Sequence, residues 1–452
     1  MKTPSRLRKS IGNVHADHHA IAKGMAWVSL FVFLGKLAGA GKEMAVAYRY
    51  GVNEAVDAYL LVFNLISWPV NIWFCVLCIV LAPLIARVRQ HNPDDIPAFR
   101  AELLAFSALL GLNFALIMGL ALPFLLSSAW LGLSAATQKV AIDMVPSMLA
   151  LAPLSVLISL FSAWLLSSGR HVNTLLEGVP AITILIAVLF LPDFGIEALV
   201  WGTVAGLFLH LVSLAIPLVW RGEIEAPKFT QRSPHWSAFW HGFGIMLVGQ
   251  ILMSFTTLID QFFAAQLGTG AIATMSYANR IVALILGLGA TAVGRATLPV
   301  FSRIQEDAGQ LYKVALRWAG ILFLLGFIGV LAGWFLAPWG VKLLFERGEF
   351  TAQNTEIVTD VFRYSLMQVP FYFVWVVLSS LLGSQRKYRE LAIVSGINLF
   401  AKVIANFALV PLFNVNGIVL GTAFMYMMAM LLCLAVIQRT KFIDTQTSNK
   451  AV

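Results

Sequence analysis

The sequence predicts an all-α polytopic membrane protein of about twelve transmembrane helices, arranged as two six-helix pseudo-repeated bundles around a central cavity. Three observations predict it. The first is composition: of 452 residues, 59% are hydrophobic and 12% are charged, with a mean hydropathy of +0.83. Soluble domains carry roughly twice that share of charge, so a soluble enzyme is excluded. The second is a series of apolar runs of around 20 residues, each long enough at about 1.5 Å per residue to cross a hydrocarbon core of about 30 Å. The third is the placement of the basic residues, which alternates from one inter-run segment to the next as membrane insertion requires.

The chain opens with a basic, polar arm, residues 1–23 (MKTPSRLRKS, then HADHHA), which lacks the apolar stretch and cleavage site of a signal peptide and reads as cytoplasmic. Its His15, His18 and His19 read as a solvated tail. Apolar runs broken by Pro, Gly, Asn and charge then give spans at 24–49, 56–86, 101–127, 140–167, 173–191 and 195–220. A linker of soluble composition, 221–237 (RGEIEAPKFTQRSPHWS), precedes six more, at 238–266, 270–300, 314–336, 358–384, 390–412 and 416–438, and a polar tail, 439–452. The expected organisation is therefore an N-terminal bundle over 24–220, the linker, and a C-terminal bundle over 238–438, with both termini cytoplasmic.

The net charge of +9 would suggest nucleic acid in a soluble protein; here it orients helices, and no nucleic-acid partner is expected. With the N-terminus inside, 21 basic residues fall in cytoplasmic segments and only Lys139, Lys342 and Arg347 outside. Removing any span scrambles that pattern. Cys75, Cys78 and Cys433 all lie in apolar runs, which argues against a disulfide framework, and the C-x-x-C pair has no second pair or nearby His for a metal. The two halves also show a faint repeat. An offset of 216 sets LAPLIAR (81–87) on TLPVFSR (297–303), and one residue of shift also pairs Gly51 with Gly268 before each second helix, which favours parallel repeats about an axis along the membrane normal.

Seven basic residues remain within or at the edge of spans: Lys36, Lys42, Arg49, Arg280, Arg295, Arg363 and Lys402. Each costs about 2.5–3.5 kcal/mol at a helix centre unless it faces a wet cavity, a counter-ion or an anionic substrate. Arg49, Arg363 and Arg295 lie near span ends, where long side chains snorkel. Lys36, Lys42, Arg280 and Lys402 are deeper and are expected to face a cavity. Helical periodicity stacks Lys36 with Glu43 on one face and Lys42 with Arg49 on another. An excess of buried positive charge points to an anionic cargo such as phosphate or pyrophosphate. No Walker A, H-E-x-x-H or G-x-S-x-G motif is present, so neither ATP use nor catalysis is expected.

Three stretches resemble the MviN/MurJ family of lipid flippases, within the superfamily that also holds polysaccharide exporters and MATE transporters. KLAGAGKEMAVAYRYGVNEAVDAYLLVFN (36–64) is similar to the family's first-helix signature, with Lys36 and Lys42 on its two arginines, Glu43 on its acid, Gly51 on its glycine and Asp57 on its aspartate. DQFFAAQLGTGAIATMSYANRIVALILGLG (260–289) resembles the segment carrying the family's functional arginine, here Arg280, with Asn279 where an aspartate is usual. LFERGEFT (344–351) resembles an external motif. Val70 and Cys75 stand where an arginine and a glutamate are usual, and family members usually have fourteen helices where twelve are read here.

The resemblance implies a multi-pass protein of the bacterial inner membrane that moves an undecaprenyl-pyrophosphate-linked saccharide, lipid II or a related oligosaccharide, by alternating access, for peptidoglycan or surface-polysaccharide synthesis. It implies that Lys36, Lys42 and Arg280 bind the pyrophosphate, supported by Glu43, Arg49, Asp57, Asn64, Asp260, Asn279 and Lys402. No cofactor is expected beyond coupling to the membrane potential or to a Na⁺ or H⁺ gradient. The expected partners are the lipid-linked saccharide, membrane lipids and cell-wall or polysaccharide assembly proteins. Two other readings predict different behaviour: a MATE-like cation-coupled exporter would depend on acids such as Asp57 or Asp260, and a non-transporting envelope scaffold would depend on none of these charges.

Overall fold

A computed structural model describes residues 33–167, 176–303, 308–385 and 387–450. The arm, the start of the first span, Arg170, Arg386 and the side chain of Arg295 lie outside what is described. Among the described residues fourteen α-helices follow one another: α1 (33–50), α2 (Glu54–His91), α3 (Ile96–Leu126), α4 (Ala135–Met148), α5 (Leu151–Ser167), α6 (Val179–Phe190), α7 (Glu197–Val219), α8 (Trp236–Ala265), α9 (Ala271–Arg303), α10 (Ala308–Phe345), α11 (Ala352–Leu366), α12 (Val369–Ser384), α13 (Tyr388–Phe413) and α14 (Val415–Lys450). No strand occurs among the described residues.

Where their residues are described, the expected spans fall largely on helical backbone. Nine helical segments among the described residues are long and apolar enough to cross a membrane, or ten if α4 and α5, bent by 52°, are one span. That bend follows Pro146, which removes a hydrogen bond from the last turn of α4. The tenth expected span is two helices, α11 and α12, because Pro370 starts a new helix at the position where its missing N–H costs nothing. Several helices overrun the expected ends, since amphipathic turns beyond the hydrocarbon remain helical: α10 continues to Phe345 and α2 to His91.

The chain clusters into two compact units. The first comprises the described residues within 1–46, 69–118 and 147–243. In it α7 packs on α5 and α6, and Gly202 lets α6 approach so closely that a Cβ there would lie 2.7 Å from that of Ala187. An aromatic cluster of Trp73, Phe99, Phe106, Trp236, Phe239 and Phe243 joins α2, α3 and the start of α8. Within this cluster Glu102 holds the linker. Its carboxylate accepts from Trp236 Nε1 at 2.7 Å, Thr230 Oγ1 at 2.8 Å, Arg232 N at 3.0 Å and Ser233 N at 3.1 Å. Arg100 is likewise buried, over the Trp164 ring and 3.7 Å from Glu223.

The second unit comprises the described residues within 47–68, 119–146 and 244–452. Its core is built where α12 packs on α9, α10 and α14, around Leu311, Ala315, Val377, Leu378, Leu381 and Cys433. Helix α14 also lies along α13. Apolar residues surround α12 because it is central in this unit, and its low hydrophobic asymmetry follows from that position.

Candidate functional site

The N-terminal basic residues sit on α1. Lys36 is exposed, and Lys42 is half-buried with its Nζ 2.8 Å from Glu43 Oε1. Helical stacking alone would have paired Glu43 with Lys36. A flexible four-carbon stem lets the adjacent Lys42 reach the carboxylate. Arg49 is half-buried, with its guanidinium 5.5 Å from the Tyr50 ring centre, and Asn64 is half-buried on α2.

Arg280 is exposed on α9 and Asn279 half-buried beside it. What fixes α9 is Asp57. Its carboxylate accepts from Gly270 N at 2.5 Å and Ala273 N at 2.7 Å, and the residue is 2% exposed. These amides are among the unpaired donors at a helix N-terminus, where a carboxylate also meets the positive end of the helix dipole. Asp57 is thus a helix cap supplied from 213 residues away. Ten residues further on at 1.5 Å each, Arg280 lies about 15 Å from the capped end, half of a hydrocarbon core of about 30 Å. Counted from the end of α1 in the same way, Lys42 is about 12 Å and Lys36 about 21 Å along.

The capped end belongs to a larger knot. Tyr277 donates its hydroxyl to the carbonyl of Gly51 at 3.0 Å, with its ring tilted against Phe345 and edge-on to Phe350. Glu349 N donates to the carbonyl of Tyr48 at 2.8 Å. Gly348 and Gly51 both have positive φ, +60° and +59°, and each lies against main chain, Gly348 on Tyr48 and Gly51 on Glu349, where a Cβ would collide. The LFERGEFT motif therefore meets the α1–α2 turn directly. All these residues fall on the side expected to be external.

Lys402 lies elsewhere in the second unit. Its side chain is fully buried, 2.8 Å from Asp260 Oδ1, so a counter-ion meets it rather than the open cavity expected. Tyr277, Asn406 and Thr422 belong to these arrangements and were not singled out from sequence. The i to i+4 spacing of Lys402 with Asn406 and of Ile418 with Thr422 is the signal that carries Asn406 and Thr422.

A family model described as lipid II flippase MurJ matches residues 46–451. A probable lipid II flippase MurJ of Bdellovibrio bacteriovorus is 29% identical over 178 residues, 37% of this chain and 32% of that protein. One of Helicobacter pylori is 27% identical over 241 residues, 49% of this chain and 51% of the relative. The match thus spans a third to a half of the length of these relatives. The lipid II flippase MurJ of Burkholderia cenocepacia is 24% identical over 430 residues, 88% of this chain and 80% of that one. Among solved structures, a lipid II flippase MurJ in an inward closed conformation superposes with a TM-score of 0.80 at 19% identity, covering 91% of this chain and 87% of the other. An inward-facing multidrug-resistance MATE transporter of the MOP superfamily gives 0.71 at 17% identity, covering 90% and 95%. These likenesses establish the fold.

Proposed function

This chain belongs to the lipid II flippase MurJ family, a family of transporters rather than catalysts, and on that premise we propose that it carries an undecaprenyl-pyrophosphate-linked saccharide, lipid II or a related lipid-linked oligosaccharide, across the bacterial inner membrane. Lys36, Lys42 and Arg280 contact the pyrophosphate, and both termini lie in the cytoplasm. The observation that carries this reading is the depth of Arg280. A guanidinium about halfway along a span, exposed and on a helix whose register is pinned at one end, is costly to insert and is suited to an anion entering from either side. Lys42 is already partly neutralised by Glu43, so binding an anion there includes loosening that pair. The hydrogen-bonded knot around Asp57, Gly51 and Glu349 closes the external end and must part for the headgroup to leave.

The test is to deplete a cell's own lipid II flippase, express this protein, and measure how much lipid II becomes accessible at the outer face. We expect accessibility to be restored by the parent and to fall at least tenfold in Lys42→Ala, Arg280→Ala at equal expression. Full activity in that variant would overturn the basic site. No restoration by a well-expressed parent would overturn lipid II as the cargo, and an undecaprenyl-linked oligosaccharide would be tested next.

A further inference from the structure

The linker joins the ends of α7 and α8, two helices long and apolar enough to cross a membrane, so it lies at a membrane surface whichever way the chain is inserted. From Glu223 to Ser233 it has no regular secondary structure, yet it is fastened down. Glu102 takes four of its donors, and Lys228 N donates to the carbonyl of Ala101 at 3.1 Å. Thr230 turns its hydroxyl in to Glu102, while its neighbour Phe229 is 70% exposed, and Trp220, where α7 ends, is 84% exposed. Two large rings held out from a fastened loop gain nothing from folding. They gain from an apolar surface outside the protein.

Five exposed bases belong to the same part of the first unit: Arg221, Lys228 and Arg232 on the linker, and Arg87 and Arg89 near the end of α2. The turn after α2 meets the linker directly, through Asp95 and His235, 3.1 Å apart. None of the five is paired with a carboxylate among the described residues. The neighbouring acids are engaged elsewhere: Glu102 by the linker donors, Asp95 by His235, and Glu223 beside Arg100. Asp94 and the half-buried Glu225 remain to oppose the five bases.

We propose that the linker is a docking strap for anionic phospholipids of the surrounding bilayer, with Trp220 and Phe229 set into the headgroup boundary and Arg221, Lys228 and Arg232 on the lipid phosphates. Charge that only orients helices acts during insertion and needs neither a fixed loop nor rings. Here Glu102 holds the segment that carries Lys228, Phe229 and Arg232 together. Bases beside an exposed ring complement anionic headgroups over apolar chains, and each base strengthens attachment roughly fivefold. The strap is independent of the cargo, and its test reads lipid contact and not flipping.

The experiment uses the full chain with Cys75, Cys78 and Cys433 replaced and Gln231→Cys carrying an environment-sensitive dye. The protein is reconstituted in mixed phosphatidylcholine and phosphatidylglycerol vesicles, with quenching bromines on the chains of one lipid or the other at equal mole fraction. Brominated phosphatidylglycerol is expected to quench the dye at least threefold more strongly than brominated phosphatidylcholine. Lys228→Gln, Arg232→Gln should bring the two quenchers level, and Phe229→Ser should weaken both. Equal quenching in the parent would overturn the choice of anionic lipid, and no quenching by either would place the strap in water and overturn the docking. Loss of the preference on adding inorganic phosphate at constant ionic strength would assign the bases to a soluble anion instead. Should the double variant fail to fold, high salt on the parent makes the same test by screening: the preference should fall toward one, and a preference indifferent to salt would refute the role of the bases.

Discussion

Replacing Asp57 tests the knot at the start of α9 most directly. Asp57→Ala strands the amides of Gly270 and Ala273 in a site where the carboxylate was 2% exposed. A hydrogen bond to a charged group contributes about 1.5–3 kcal/mol net, and an orphaned buried donor costs about 1–3 kcal/mol. Loss of an N-terminal cap by itself costs about 0.5–2 kcal/mol. These figures overlap, and no longer having to bury a charge offsets part of them, so the closed end should lose about 2–4 kcal/mol. The middle of that range is about 150-fold in the equilibrium between shut and open. Asp57→Asn keeps one amide oxygen but no charge, and should lose about half as much. The assay places Ser276→Cys, one residue before Tyr277, in a background where Cys75, Cys78 and Cys433 are replaced, and follows labelling by a maleimide that cannot cross the membrane. Labelling from outside should accelerate at least tenfold in Asp57→Ala, by less in Asp57→Asn, and the unfolding temperature should fall in the same order. An Asp57→Ala protein with unchanged labelling and unchanged unfolding temperature would refute the capping argument.

Other expectations follow from the same geometry. Glu102→Ala removes the acceptor for four linker donors, so trypsin should cut after Lys228 or Arg232 at least tenfold faster in membranes, with little change elsewhere. Gly348→Ala asks for a side chain at φ +60° against the main chain of Tyr48, and should cost about 1–3 kcal/mol, read as a lower unfolding temperature and faster labelling at Ser276→Cys.

Much of this organisation is legible in the sequence, for a physical reason. Bilayer thickness imposes a length on every apolar run, so spans such as 195–220 and 238–266 are found again as α7 and α8. The outlying charges were legible as residues and not as pairs. Periodicity pointed Glu43 at Lys36, whereas a flexible side chain joined it to Lys42. Asp57 appeared as an acid near a span end, because nothing local marks a cap whose helix begins 213 residues later. Lys402 looked like a cavity residue since hydropathy registers the cost of burying a charge and not the oxygens on α8 and α14 that meet it.

The anchored linker has a practical consequence. Glu223 is held by Leu218 and Arg100, and Lys228 N donates to the carbonyl of Ala101, so the backbone is fastened on both sides of an exposed Ala226 and Pro227. Lengthening a loop between fixed posts is cheap, about 0.6 kcal/mol for each doubling. A peptide epitope or a small fluorophore tag inserted between Ala226 and Pro227 should therefore leave the helices on either side undisturbed, giving a reporter that rides on the N-terminal end of α3.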